Sequence, residues 1–435
     1  MFKRKMLSAF FGVLLIISTF QILYMNKPEI HGGFPLFFNH HIVGDEKNEE
    51  DLNPRDFGAV GDGIADDTVA LQAWLDAPGI EKDLGNGSYK ITSGLISSNV
   101  GVTIKSKRGV ILAYRPNIIM LTVEGGNSQV SIELDGNNQA TGGILIKSAG
   151  CKVNKSMIKN IFGGNQTAFG IKSQSPRGIR IENNTIKNIH GTANGKFGDN
   201  IGASRAILVT SKVNSTEMNI VKNNTIVGVT GEEGDGIQFL FNDGSFPFLN
   251  AKGVILNNTI KDINRRAIKV QASNVKVLNN THINNLTIDE LPNAANLIDV
   301  IHSNDIVVQN NTLDARLFLG IKLSGDSNNR ASRIIVKGNK IRGGHTLSSR
   351  NRAATNGINW DFVQDSEILY NSISDSVFPI SGSNGTNIII DNNLFWGDGL
   401  NPAINILSSN SKISVANNKQ ISGKRSYLII NNASN

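Results

Sequence analysis

One cysteine in 435 residues, Cys151, excludes an internal disulfide framework. It lies in an apolar stretch and reads as a buried, unreactive thiol. Aromatic residues are scarce, at 6%. A core must therefore be built from Ile, Val and Leu, and there is little ring surface on which nucleic-acid bases would stack. The chain has no nucleic-acid motif, no His/Cys cluster at metal-ligand spacing and no phosphate-binding loop, so neither a nucleic-acid partner nor a resident cofactor or metal is expected. Strong helix formers do not dominate either. What is abundant is Gly, 44 residues, together with Asn. Such a mix favours many short strands joined by turns. With 43 Lys and Arg against 36 Asp and Glu the net charge is +7. A basic surface suits an anionic partner, such as an acidic polysaccharide, a wall polymer or a lipid surface.

The N-terminus carries Lys3, Arg4 and Lys5 and then an apolar run from Leu7 to Met25. Its length is close to the ~20 residues that cross a bilayer, and the preceding positive charge orients the rest of the chain outward. No small-residue cleavage site follows in QILYMNKPEI. Residues 1–25 therefore read as an uncleaved anchor, with a cleaved signal peptide as the alternative. Residues 26–52 read as a polar tether. The expected location is the cell envelope, outside the cytoplasmic membrane.

The rest of the chain repeats itself. IRIENNTIKNI (179–189), NIVKNNTIVGV (219–229), GVILNNTIKDI (253–263), VKVLNNTHINN (275–285) and IVVQNNTLDAR (306–316) align, and weaker copies continue to the C-terminus. They share Asn184, Asn224, Asn258, Asn280, Asn311, Asn339, Asn371, Asn393 and Asn418. The shortest gap is 22 residues, with longer gaps where loops are inserted. One such unit cannot bury its apolar face alone, so units stack strand on strand. Asn suits the turn because it tolerates left-handed backbone, and stacked amides can bond along a ladder. This architecture is an all-β, right-handed parallel β-helix. Residues 53–100 read as a cap with the first strands, and 101–435 as the coils.

A second strand recurs around Ile171, Ile207, Ile237, Ile268, Ile298, Ile321, Ile358, Ile380 and Ile404. Alternation places both neighbours of each Ile outside. The residue before is mostly Gly or Ala, which suggests a low outer column, and so a groove for a polymer, beside the polar column Gln238, Lys269, Asp299, Lys322 and Asn359. Two positions before the anchor stand Arg205, Asp235 and Arg266. The stretch GEEGDGIQF (231–239) thus brings Glu232, Glu233 and Asp235 to a cationic neighbourhood. One reading is an ion-pair ladder on stacked strands. The other is a glycan-active site in which Asp235 with Glu233 or Glu232 supplies a carboxylate pair, or Lys269 with Arg266 serves a β-elimination. His302 and Trp360 fall near the same face as candidate substrate contacts.

NPRDFGAVGDGIADDTVALQAWLDA (53–77), followed by DLGNGSYKIT (83–92), resembles the start of the pectate-lyase-like superfamily, which includes glycoside hydrolase family 28-related proteins and phage tailspikes. With the coil repeats, the resemblance spans about residues 53–430. In the cap, Asp66 or Asp67 is expected to cap a helix whose Val69, Leu71, Ala73, Trp74 and Leu75 cover the open end of the stack. The resemblance implies a polysaccharide hydrolase, lyase or epimerase. RAIK at Arg266–Lys269 only loosely matches the R-x-K of polygalacturonases, and G-H-G and the D-P-H of alginate epimerases are absent. The sequence thus points to an extracytoplasmic enzyme acting on an acidic glycan, with hydrolysis by a carboxylate pair around Asp235 as the first expectation. A lyase or epimerase using Lys269 and Arg266, or a non-catalytic glycan-binding protein, is the alternative. A lyase would bring in Ca2+, for which Asp235, Glu233 and Asp299 are a thin ligand set. The tailspike relatives raise a homotrimer as an option.

Overall fold

The computed structural model describes residues 52–164, 166–174, 176–192, 202–231, 233–287, 291, 295–344, 356–398, 401–425 and 429–432. The anchor and nearly all of the tether expected from sequence lie outside these residues, as does Glu232. Among the described residues no helix is long and apolar enough to cross a membrane.

The chain from residue 52 onward is a right-handed parallel β-helix. Each coil supplies three short strands, such as Asp235–Phe241, Asn250–Leu256 and Thr259–Ile263, and then Arg266–Gln271, Ser273–Leu278 and Thr281–Ile283. Every strand pairs in parallel with its counterpart on the next coil. The first strands of the coils form a 13-stranded sheet. The second and third faces merge into one 25-stranded sheet, because Thr103–Ala113 bends to pair with both Glu81–Asp83 and Ser88–Ile91.

The Ile positions found by repeat alignment stand in register. Ile171 pairs with Ile207, then Ile237, Ile268, Ile298, Ile321, Ile358, Ile380 and Ile404. All are buried in one continuous apolar core. Cys151 belongs to the same core, and burial pushes its thiol pKa up.

The asparagines form the expected ladder at the corner between the second and third faces. Nδ2 of Asn184 donates to Oδ1 of Asn224, and the same bond repeats through Asn258, Asn280, Asn311, Asn339, Asn371, Asn393 and Asn418 at 2.9–3.0 Å. Each Oδ1 also accepts the backbone N–H of the asparagine before it. The left-handed residue of the turn is not the ladder Asn but its predecessor: Asn183, Asn223, Asn257, Asn279 and Asn310 have φ of 54–56°. The pair N-N therefore divides two jobs, backbone reversal and side-chain pairing.

The N-terminal end is closed by a helix, α1 (Thr68–Asp76), which buries Leu71, Trp74 and Leu75. Val69 is 82% exposed and Ala73 is also exposed, so these two do not cover the stack. Asp67 makes no helix cap. Its carboxylate instead accepts from the N–H groups of Val60 and Gly61, at 2.7 and 3.1 Å, tying down the preceding loop. Asp66 takes the role at the helix start by accepting from the Thr68 N–H at 3.1 Å.

Candidate functional site

The groove inferred from the Gly/Ala column is not where alternation put it. A Cβ on Gly236 would lie 2.6 Å from the Ala267 carbonyl oxygen and 3.0 Å from Cγ2 of Ile260, a core side chain of the third face. Gly170 meets Ile186 in the same way, and Ala206 and Ala267 are themselves in the core. The strand bends at this step, so two consecutive residues face inward. Small residues suit most coils because the first and third faces converge here, although Leu297 and Pro379 occupy the same position in two coils and are also buried. The outward-facing groups are then the residue before the small one and the residue after the Ile.

That geometry draws the two polar columns together into one cluster. Asp235 is flanked in register by Arg205 and Arg266, and Gln238 by Leu208 and Lys269, with Asp299, Lys322 and Asn359 following. Glu233, in the turn leading into the strand, is the anionic hub. Its Oε2 lies 2.7 Å from Lys269 Nζ and 3.5 Å from Arg205 Nη2, and its Oε1 lies 3.2 Å from Arg265 Nη1 and 3.5 Å from Arg266 Nη1. Arg266 also reaches Asp235 Oδ1 at 3.4 Å and, through Nε, Asp299 Oδ2 at 2.9 Å. Arg205 Nε donates to Gln238 Oε1, and Gln238 Nε2 donates to Gln271 Oε1.

Burial and charge split the two carboxyls. Asp235 is completely buried, and Oδ2 has no hydrogen-bond partner. Burial pushes its pKa up to about 6 against the pull of Arg266, with the Glu233 charge reinforcing the rise. For Glu233 burial alone would act upward, but Lys269, Arg266 and Arg265 outweigh it and hold the pKa at about 2. Arg266 is held firmly protonated: burial opposes the charge, and Asp235, Asp299 and Glu233 overcome it. The cluster therefore holds four cations, Arg205, Arg265, Arg266 and Lys269, around three carboxyls. The one carboxyl able to carry a proton near neutrality is sealed inside.

Not every expected residue joins. Trp360 faces the core, 2% exposed, and donates through Nε1 to Asn410 Oδ1 at 3.0 Å, so it is no platform for a sugar. His302 lies beyond the far end of its strand, Asn296–Ile301. It packs against Phe246 at 4.1 Å between ring centroids and sits 3.4 Å from Asp326, away from the cluster. Lys322 and Asn359 extend the outer column, half-buried, and Asn359 keeps a buried side-chain oxygen without a partner. Arg265, absent from the expected set, turns out to be part of the cluster. It sits in the corner before the repeating strand, where no column of the alignment marks it. The three carboxyls that a Ca2+ site would use each face Arg266, and among the described residues no group of three or more His, Cys, Asp or Glu is placed to hold a metal ion.

No family model matches the chain. A mannuronan C5-epimerase of Azotobacter vinelandii, AlgE2, is 36% identical over 85 residues, which is 19% of this chain and 8% of the epimerase. The chain thus matches less than a tenth of that relative's length. Among solved structures, a PL6 alginate lyase in complex with a trisaccharide superposes with a TM-score of 0.64 at 12% identity, covering 87% of this chain and 88% of the lyase. PfbA, a surface adhesin of Streptococcus pneumoniae, gives 0.58 at 15% identity, covering 86% and 91%. These structural likenesses establish the fold, that of the right-handed parallel β-helices.

Proposed function

We propose that this right-handed parallel β-helix binds an anionic polysaccharide on its cationic cluster and acts on it by proton transfer beside a uronate carboxylate, as a lyase or epimerase. The carrying observation is the distribution of charge around Glu233. Four cations converge on a face where the candidate hydrolytic carboxyls are already spoken for: Glu233 is ion-paired and Asp235 has no exposure. A hydrolytic pair needs one exposed acid and one exposed base flanking the glycosidic bond. Removing the proton next to a carboxylate needs instead fixed positive charge where negative charge develops, and a group to exchange the proton. Arg205 and Arg266 supply the charge. Lys269 is the group placed to exchange the proton, its Nζ held by Glu233 at 2.7 Å. In elimination Lys269, in its deprotonated form, takes the C5 proton, and the C4=C5 double bond forms as the bond to the leaving oxygen breaks. That oxygen receives a proton from the resulting ammonium or from water. In epimerisation Lys269 keeps the proton it took and water delivers another to the opposite face of the ring. The partial match to a mannuronan epimerase and the shared fold of an alginate lyase support this substrate class, since both polymers consist of uronic acids. The basic, then apolar N-terminus supports an extracytoplasmic setting for such a reaction.

The test is to incubate the purified full chain with alginate, polygalacturonate and a neutral glucan, reading unsaturated-product absorbance, reducing ends and, by proton NMR, inversion at C5. Unsaturated or inverted uronate from an acidic polymer is expected, with Lys269→Ala slowing the reaction on the order of 10²-fold or more. Reducing ends without unsaturation would mean hydrolysis and would overturn the proposed chemistry. Binding with no product from any polymer would favour a purely adhesive role, the reading that the shared fold of PfbA supports.

A further inference from the structure

A different face of the molecule carries a second polar strip that the cluster does not use. The third strands of four successive coils, Thr281–Ile283, Thr312–Asp314, Lys340–Arg342 and Ser372–Ser374, line an open cleft of about 320 Å³. Alternation is strict here. The central residues, His282, Leu313, Ile341 and Ile373, are buried, and the flanking ones face out. One outward row runs Thr281, Thr312, Lys340, Ser372; the other runs Asp314, Arg342, Ser374 and, on the next coil, Trp396.

The chemistry of these rows is unequal. Both oxygens of Asp314 are taken by Arg316, with Nε to Oδ1 at 2.7 Å and Nη2 to Oδ2 at 2.6 Å, so the carboxylate is neutralised within its own turn. Lys340 and Arg342 are exposed, and neither forms an ion pair among the described residues. Trp396 is half-buried at the end of the row, its neighbour Phe395 taking the core position. Hydroxyls, two open cations and an indole face are thus set along a strip whose elements repeat every ~4.8 Å, the spacing of stacked strands. An indole offers an apolar surface to the C–H face of a sugar ring, and Lys and Arg offer charge to a carboxylate.

We propose that this strip is a second, non-catalytic carbohydrate-binding site, and that its ligand is an acidic oligosaccharide. Arg342 and Lys340 take the carboxylate of one residue, the Thr and Ser hydroxyls bond to ring hydroxyls, and Trp396 carries the ring next along the chain. In the choice of an acidic sugar the assignment rests on the function proposed above; in the site it stands apart. A polymer long enough to reach both faces is held with greater avidity than either site gives alone.

The experiment is calorimetric titration of the full chain with purified uronate tetramers, alginate- and polygalacturonate-derived, and with the same tetramers after carboxyl reduction. Wild type is expected to bind two tetramers per chain. Arg342→Gln, an exposed substitution, is expected to remove one, and Trp396→Ala the same one, while turnover at the cluster is unchanged. A cluster variant, Arg266→Gln, is expected to keep the tetramer that Arg342→Gln removes. One tetramer in wild type, lost in Arg342→Gln, would uphold the strip and sink the cluster as a glycan site. Binding unaltered in both Arg342→Gln and Trp396→Ala variants of unchanged melting temperature would overturn the strip. Equal affinity of that site for the carboxyl-reduced tetramers would overturn its acidic ligand.

Discussion

His282 stands inward between Ile260 and Leu313, in a column that otherwise reads Ile186, Ile226, Ile260, Leu313, Ile341, Ile373 and Phe395. Its Nδ1–H donates to the Asp314 carbonyl at 3.1 Å, its ring edge meets Phe318 at 5.3 Å, and Nε2 has no partner. Burial pushes its pKa down to about 4, against a weaker upward pull from Asp314. A histidine held neutral in the fold, but free to charge once unfolded, weakens the fold as pH drops from its ordinary value of 6.5 toward 4. His282→Leu fits the aliphatic column and removes that dependence. The variant's stability relative to wild type should rise by about 2 kcal/mol between about pH 7.5 and about pH 5, since each pK unit is worth ~1.4 kcal/mol. Urea unfolding at the two pH values checks this, and an unchanged difference would mean that His282 titrates normally. The carboxyls of the cluster pull in opposite directions. Glu233, lowered, adds stability that is lost below its unfolded value of 4.5, whereas Asp235, raised, costs stability as pH climbs from 3.8 through about 6.

At the scale of the element, the turn adds to the strand pairing in holding the coils in register. Asn280 accepts at Oδ1 from the Asn258 backbone N–H and from Asn258 Nδ2, and donates from Nδ2 to the Ile255 carbonyl and to Asn311 Oδ1. Alanine there breaks four buried hydrogen bonds. Asn258 Nδ2 keeps the Val221 carbonyl and Asn311 Oδ1 keeps the backbone N–H of residue 280. The Asn258 N–H and the Ile255 carbonyl lose this partner, each group left unmade costing about 1–3 kcal/mol. A loss of about 3–5 kcal/mol is expected for Asn280→Ala, measured by chemical unfolding. Asn257→Ala, at the left-handed position beside the next ladder residue, should cost only about 1–2 kcal/mol. If the two cost the same, the ladder adds nothing beyond turn geometry.

The ladder was legible in the sequence because its residues recur at one place in every copy, and so were the Ile columns, the Arg205–Asp235–Arg266 register and the Gln238–Lys269–Asp299 register. What was not legible is where a strand departs from alternation. Counting outward from Ile237 wrongly places Gly236 on the surface, because the bend that turns both inward comes from the convergence of two faces and leaves no mark in a two-residue period. Trp360 shows the reverse. Alternation from Ile358 puts it inside, and the structure agrees; the expectation of a sugar contact came from residue type alone. Arg265 escaped notice because it lies in a corner with no repeating column.

At the scale of the whole molecule, a solenoid has few contacts between distant coils, so its stability is close to a sum of coil and interface terms and its ends unravel first. The N-terminal end is protected by α1, whose Trp74 is fully buried and donates through Nε1 to the Leu52 carbonyl at 2.6 Å. The cluster around Glu233 begins several coils further on, and the Asn ladder runs from Asn184 to Asn418 beneath and beyond it. Trp74→Ala removes about 3–5 kcal/mol of packing from the cap. In a globular core such a loss is shared by every residue. Here it should be felt locally: hydrogen exchange should quicken in the strands between residues 81 and 123, while the strands from Ser204 to Gln271 keep their wild-type protection and the cluster its ligand binding. Uniform loss of protection along the chain would mean that the coils unfold as a single cooperative unit, and that the cap stabilises the distant cluster as much as the coils beside it.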